Sequence, residues 1–224
     1  MARCPELEII EDFYDAVECE RIYRRLLHEQ NWPDNRYAVA GRQFTLPRLQ
    51  TWHADPGIRY SYSNNLLQTR SWTPLLSEIR TQIESTLNFS FNSVLVNLYR
   101  NGNDYVGWHS DNEPELGEQP FIASLTFGAE RQFEFRHKKS SENGRVLLRS
   151  GALLIMQPTF QHHWLHSVPI DQNVMEGRIN LTFRKVVPAN QAKCLIFDNS
   201  KHVSATTYRF WLKRRDRQKN LRAH

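Results

Sequence analysis

Three observations predict an α+β protein that is mainly β: two amphipathic helical patterns near the start of the chain, short strand patterns from Phe89 onward, and turn residues between those strands about every ten residues. The 224 residues are 40% hydrophobic and include six Trp, eight Tyr and twelve Phe, enough for a continuous core and too many for a disordered chain. No apolar run approaches the roughly 18 to 20 residues of a membrane-spanning helix. The expectation is one soluble, monomeric domain that does not enter a membrane.

The first helix is expected from about Asp12 to Gln30, with Phe13, Ala16, Val17, Tyr23, Leu26 and Leu27 at helical spacing. Thr73 and Pro74 then supply an N-cap and a first-turn proline. Leu75, Leu76, Ile79, Ile83 and Leu87 recur behind them up to Asn88, which defines a second helix. Between the two, positions 31–65 are rich in Pro, Gly and aromatic residues and read as hairpins and loops, with a short alternating stretch from Ile58 to Ser63. Seven strands follow: Ser93–Tyr99, Phe121–Phe127, Gln132–Arg136, Arg145–Leu148, Ala152–Met156, Trp164–Val168 and Arg178–Lys185. Asn101-Gly102, Asn143-Gly144, Ser150-Gly151 and Glu176-Gly177 separate many of them. Such spacing suits an antiparallel jelly roll, or double-stranded β-helix, with the N-terminal helices packed on the sheet.

The net charge of +5 is unevenly placed. From Lys201 to His224 there are eight basic residues against Asp216 alone, so this segment carries +7 and the body of the chain −2. A generally basic nucleic-acid binder is therefore not indicated; the polyanion-seeking charge is confined to the end. Cys4, Cys19 and Cys194 form no C-x-x-C pair, which argues against a disulfide framework or Cys-based zinc site and fits a reducing compartment. No basic segment followed by an apolar stretch opens the chain. The expectation is a protein that is not secreted, cytoplasmic in a bacterium and open to the nucleus in a eukaryote.

Chemistry concentrates in three segments. In Gly107-Trp108-His109-Ser110-Asp111 an imidazole and a carboxylate stand two residues apart, on one face of an extended segment. A third metal ligand is available about fifty residues on, where Gln161-His162-His163-Trp164-Leu165-His166-Ser167 offers three histidines. Two imidazoles and a carboxylate on a β scaffold describe the facial triad of non-heme Fe(II) oxygenases. By strand parity His162 and His166 share a face and His163 points away. A zinc pair on a helix is disfavoured, because no Glu follows His162 and prolines flank the segment at 158 and 169. In Arg178-Ile179-Asn180-Leu181-Thr182-Phe183-Arg184 every polar residue has one parity and every apolar residue the other. Either that polar face is solvated, or its two buried guanidiniums meet an anion such as a small dicarboxylate. Asn97 and Tyr99 repeat the pattern, with Val94, Val96 and Leu98 turned away.

With Asn97-Leu98-Tyr99-Arg100-Asn101-Gly102, Ile122-Ala123-Ser124-Leu125-Thr126-Phe127-Gly128 and His166-Ser167-Val168-Pro169 in the same order, the chain resembles the AlkB-type Fe(II)- and 2-oxoglutarate-dependent dioxygenases, in the pattern of their DNA-repair branch. The likeness covers roughly Glu8 to Val187. It implies a dioxygenase domain over residues 1–187, with a nucleotide-recognition segment at 31–65, and a basic C-terminal extension over 188–224. It implies Fe(II) as cofactor, with 2-oxoglutarate and O2 as cosubstrates. His109, Asp111 and His166 become the metal ligands, His166 because family ligands directly precede a Ser or Arg, a Val or Leu, and a Pro. Asn97, Tyr99, Arg178, Asn180, Thr182 and Arg184 become the cosubstrate pocket, with Arg178 at the distal carboxylate and Arg184 near the metal.

The implied activity is hydroxylation of an N-alkyl group on a DNA base, followed by loss of formaldehyde, with succinate as coproduct. An RNA demethylase or protein hydroxylase is the alternative with the same iron chemistry, and a non-catalytic nucleic-acid-binding barrel is the alternative from another class. Bases must be flipped and stacked, and the resemblance points to Tyr60 and Tyr62, with Trp52 a further candidate. Two departures from the family pattern stand out. Small Ala40 falls where a hydrophobic wedge is expected, leaving Arg42, Phe44 or a preference for single strands. Asn112 stands where the family commonly has Asp, with Glu113 as substitute, which implies a weaker preference for cationic bases. Arg136, His137 and Lys138 resemble a segment beside the substrate strand, implying phosphate contacts.

Overall fold

A computed structural model describes residues 4–33, 36–39, 42–58, 61–62, 65–66 and 68–187. The elements run β1 (Leu7–Ile10), α1 (Ala16–Glu29), β2 (Arg36–Val39), β3 (Arg42–Thr45), β4 (Leu49–Ala54), β5 (Ser61–Tyr62), β6 (Asn65–Leu66), β7 (Thr69–Arg70), α2 (Pro74–Leu87), β8 (Ser93–Tyr99), β9 (Val106–His109), β10 (Ile122–Gly128), β11 (Arg131–His137), β12 (Asn143–Leu148), β13 (Leu153–Met156), α3 (Phe160–His163), β14 (Trp164–Val168) and β15 (Arg178–Arg184). A seven-stranded sheet has the order β1-β13-β10-β15-β8-β4-β7, and a four-stranded sheet has the order β12-β11-β14-β9. Apart from the short β4–β7 pair, neighbours in both sheets are antiparallel. The expected jelly roll is what forms.

Both long helices begin where their caps dictate. The Asp15 side chain accepts the Glu18 N–H at 2.9 Å, which starts α1 four residues later than periodicity alone suggests. Thr73 caps α2 through the Leu76 N–H, and Asn88 ends it in the left-handed region at φ 50°. Ile22 and Leu26 of α1, with Leu76, Ile79 and Ile83 of α2, cover the outer face of the large sheet. That face consists of Val94, Val96 and Leu98, Ala123, Leu125 and Phe127, and Ile179, Leu181 and Phe183. A second cluster between the sheets holds Ile122, Phe133, Phe135, Leu154, Phe160 and Trp164. Every residue of β8 and β15 is buried, because helices cover one face and the smaller sheet the other.

Three local expectations are corrected. The 31–65 stretch contains β4, whose central residues bury on both faces because it pairs with β8 over Leu49–Ala54. Trp52, offered above as a stacking residue, stands opposite Leu95 and is 1% exposed in a cluster with Ala54, Leu116 and Val186, so its ring presents no face to a base. Strand parity does not apply to His162 and His163, which end the four-residue helix α3: the His162 ring meets the Glu118 carbonyl and the His163 ring meets Glu6 at 3.1 Å.

Both described cysteines are buried, and burial pushes the Cys4 thiol up to about 12 and raises that of Cys19. Thiolate is the reactive form. Alkylation of the native protein with iodoacetamide at pH 8 is therefore expected to leave Cys4 and Cys19 unmodified until denaturant is added, as read by peptide mass mapping. Labelling of either one in the native state would show that the N-terminal packing opens.

Candidate active site

Strand pairing brings the three candidate ligands together. His166 of β14 lies directly opposite His109 of β9, and their rings are 4.2 Å apart between centroids. Beyond the end of β9 the chain turns tightly, with the Asn112 N–H donating to the Ser110 carbonyl, and Asp111 points inward. One ligand atom each from His109, Asp111 and His166 falls within 4.8 Å of the others. The His109 Nδ1 is 2.8 Å from the Gly107 carbonyl, which can only accept. The proton is therefore on Nδ1, and the Nε2 lone pair faces Asp111 Oδ1 at 3.9 Å.

The electrostatics favour cation binding. Burial depresses both imidazoles, His166 well below the ordinary value, so both are neutral and able to ligate. Burial by itself would raise the Asp111 carboxyl. The Arg184 guanidinium, donating from Nη2 to Oδ2 at 2.8 Å, is the largest opposing influence, and together with the His109 and His166 rings it holds the carboxyl at about 2.

The polar face of β15 looks into the same cavity rather than into solvent. Arg178, Asn180, Thr182 and Arg184 line it, together with Asn97 and Tyr99 from β8, which stand opposite Asn180 and Arg178. The Asn180 amide donates to Ser124 Oγ at 2.8 Å, and Thr182 Oγ1 donates to Asn180 Oδ1 at 2.9 Å. Arg178 is 2% exposed, lies 5.1 Å above the Tyr99 ring and donates one bond, from Nη2 to Thr126 Oγ1 at 2.8 Å. Its Nε and Nη1 are buried without a partner among the described residues. Burial lowers it to about 10, so it stays cationic at neutral pH.

Residues 6–184 match the 2OG-Fe(II) oxygenase superfamily. The chain belongs to it. The chain is 38% identical over 189 residues to the DNA oxidative demethylase ALKBH2 of Mus musculus, covering 80% of this chain and 79% of that one. It is 40% identical over 186 residues to the alpha-ketoglutarate-dependent dioxygenase alkB homolog 3 of Bos taurus, covering 79% and 64%. The solved structure of OsALKBH1 superposes with a TM-score of 0.59 at 20% identity, over 83% of this chain and all of that one, which shows a shared fold. As a 2OG-Fe(II) oxygenase the protein is a dioxygenase that uses Fe(II), 2-oxoglutarate and O2.

The site fits that chemistry on its own atoms. Asp111 Oδ1 and His166 Nδ1 are buried polar atoms without a hydrogen-bond partner among the described residues, which fits a site that a cation completes. The unmet donors of Arg178 ask for an anion across the same cavity. Sequence reasoning missed Arg48, which enters the cavity from the residue before β4 and donates from Nε to Asn97 Oδ1 at 3.0 Å. It also passed over Ser124 and Thr126, whose alternation with Ala123, Leu125 and Phe127 was a readable signal.

The proposed substrate contacts are scattered. Asn112 is exposed and borders a neighbouring cleft with Lys138, Gln161 and His162, because the turn at Ser110–Asn112 directs it away from the metal side. Glu113 is half-buried at the start of a single 3-10 turn over Pro114–Leu116. Arg136 is exposed with its guanidinium 4.4 Å above the Trp108 ring. Tyr60 and Ala40 lie outside the described residues, as does the side chain of Tyr62. No described helix is long and apolar enough to cross a membrane.

Proposed function

We infer that the protein is an Fe(II)- and 2-oxoglutarate-dependent demethylase of DNA. It acts on N-alkylated bases of the 1-methyladenine and 3-methylcytosine kind and releases formaldehyde and succinate. One observation carries this reading: the triad and the unsatisfied Arg178 face a single cavity, in a chain whose relatives are named DNA oxidative demethylases. In it, His109, Asp111 and His166 hold the iron. Arg178 takes the distal carboxylate of 2-oxoglutarate, with Asn97, Tyr99, Asn180 and Thr182 along its length and Arg184 beside the metal-binding end. The iron, once loaded, supplies oxygen activation for hydroxylating the N-alkyl carbon.

The chain's own residues set the conditions. Burial keeps the two imidazoles neutral and Arg184 keeps Asp111 ionised. Phe133, Leu95, Met156 and Val168 give the cavity apolar walls that keep water sparse. Tyr60 and Tyr62 are proposed to stack on the base, where a methylated cationic ring gains about 1 to 2 kcal/mol from cation–π attraction. Arg136 is proposed to meet a phosphate. Residues 188–224, outside the described residues, are proposed as a basic extension separate from the dioxygenase domain over 1–187.

Methylated DNA and RNA oligonucleotides of one sequence, assayed side by side by mass spectrometry, test this. The expected result is loss of the methyl group from DNA with equimolar succinate and formaldehyde. Turnover on RNA alone would move the substrate to the other nucleic acid. No succinate from either, together with no visible charge-transfer absorption on anaerobic addition of Fe(II) and 2-oxoglutarate, would remove the enzyme reading.

A further inference from the structure

Asp111 lies past the end of β9, where sheet pairing no longer holds its backbone: the β9–β14 register stops at His109 and His166. Two contacts fix it instead. One is the Arg184 bond to its carboxylate. The other comes from a residue fifty positions away, since the Asp111 N–H donates to Gln161 Oε1 at 2.9 Å. Gln161 is 1% exposed on α3, the short helix that leads directly into the His166 strand. Its amide nitrogen donates to Met156 Sδ at 3.3 Å, and Met156 itself lines the metal cavity. Its backbone carbonyl accepts Lys138 Nζ at 2.7 Å, and the same ammonium donates to Ser110 Oγ at 3.1 Å. Lys138 is tied down in turn, because its backbone N–H donates to the His163 carbonyl at 2.7 Å.

We propose that Gln161 is the positioning residue for the metal-binding carboxylate, locking the Asp111 turn to the helix that carries the chain into His166, with Lys138 as the strut that holds Gln161. The proposal rests on the metal centre inferred above. Its physical content is a distance constraint between two ligands from different strands. Without it, the Asp111 backbone loses its tie to α3, and the orientation of the carboxylate rests on the Arg184 bond. A glutamine suits the place because its oxygen must accept an N–H while its nitrogen donates to sulfur. Lysine suits the strut because one ammonium can bond both the turn and the helix.

The test uses the full chain and Mn(II) as probe. Anaerobic calorimetric titration is run on wild type, Gln161→Leu, Gln161→Glu and Lys138→Met, each checked for folding by thermal denaturation without metal. Partners one shell out from a ligand typically change metal affinity 10- to 100-fold, so Gln161→Leu is expected to weaken Mn(II) binding at least about tenfold. Gln161→Glu keeps the accepting oxygen but loses the bond to Met156 Sδ, and is expected to weaken binding less than Gln161→Leu. Lys138→Met, at an exposed position, is expected to fall between them. Wild-type affinity in folded Gln161→Leu overturns the proposal. Equal weakening in Leu and Glu variants also overturns it, since that pattern reports packing rather than the hydrogen bond. Failure of wild type to bind Mn(II) overturns the metal centre as well, and so is distinguishable from failure of the positioning role.

Discussion

Replacing Arg178 with methionine is expected to raise the stability of the metal-free, cosubstrate-free protein by about 1 to 3 kcal/mol while weakening 2-oxoglutarate binding at least about 30-fold. The two signs are opposite because the guanidinium is buried for a ligand. At 2% exposure it has lost its hydration, yet it recovers one hydrogen bond, to Thr126 Oγ1, and a place over the Tyr99 ring. Its pKa, lowered to about 10 by burial with Arg131 adding repulsion, reports the same penalty on the charged form. Methionine fills similar space without a charge. A carboxylate meeting Nε and Nη1 would restore what burial removed, and this is lost in the variant. Urea denaturation without ligand and calorimetric titration with 2-oxoglutarate in the presence of Mn(II) read the two effects. A destabilised Arg178→Met, or one that binds 2-oxoglutarate normally, would refute the assignment of Arg178 to the distal carboxylate.

The second large effect separates two ligands that a sequence motif treats alike. Asp111→Asn and His109→Ala are both expected to abolish tight metal binding. Only the former is expected to damage the metal-free fold, by about 3 kcal/mol, because it takes the opposite charge away from a buried guanidinium. Asp111 and Arg184 side chains are 1% and 4% exposed, with 2.8 Å between Oδ2 and Nη2. His109, by contrast, is 25% exposed at its side chain, and its hydrogen bond among the described residues is to a nearby carbonyl, so its loss is expected to cost about 1 kcal/mol or less. Denaturant midpoints of the two variants without metal decide it. Equal midpoints would mean that the Asp111–Arg184 pair contributes nothing net, and that Arg184 is held by its other surroundings.

Much of the site was readable because the relevant signals are local. Parity along β15 separates Arg178, Asn180, Thr182 and Arg184 from Ile179, Leu181 and Phe183, and the strand obeys it at every position. Thr73, Pro74 and Asn88 bounded α2 to the residue, since capping is satisfied by neighbours within a turn. Where the reading failed, the deciding interactions were not local. β4 shows no clean alternation, and only pairing with β8 explains why Trp52 is covered by Leu116 and Val186 instead of facing a base. The histidine segment suggested strand parity throughout. Four residues of helix intervene, which moves His162 to the Glu118 carbonyl and sends Gln161 back to Asp111. Nothing near Pro47 marks Arg48 as a cavity residue, because it arrives there by crossing to Asn97 on another strand.

By itself, then, the sequence determined the alternating faces, the caps of α2, the residue types of a metal triad and a dicarboxylate cradle, and the charge imbalance between body and tail. Its strand parity left His162 and His166 as rivals for one coordination position, and it could not say whether the polar face of β15 met water or an enclosed cavity. Tertiary structure decided both. His109 meets His166 only when β9 is registered against β14, and β15 is buried on its polar side only when the second sheet closes over it. The physical reason is range. Periodicity and capping are set within a few residues by backbone geometry, whereas burial and the unmet valence of a guanidinium or carboxylate are set by what long-range pairing brings against them.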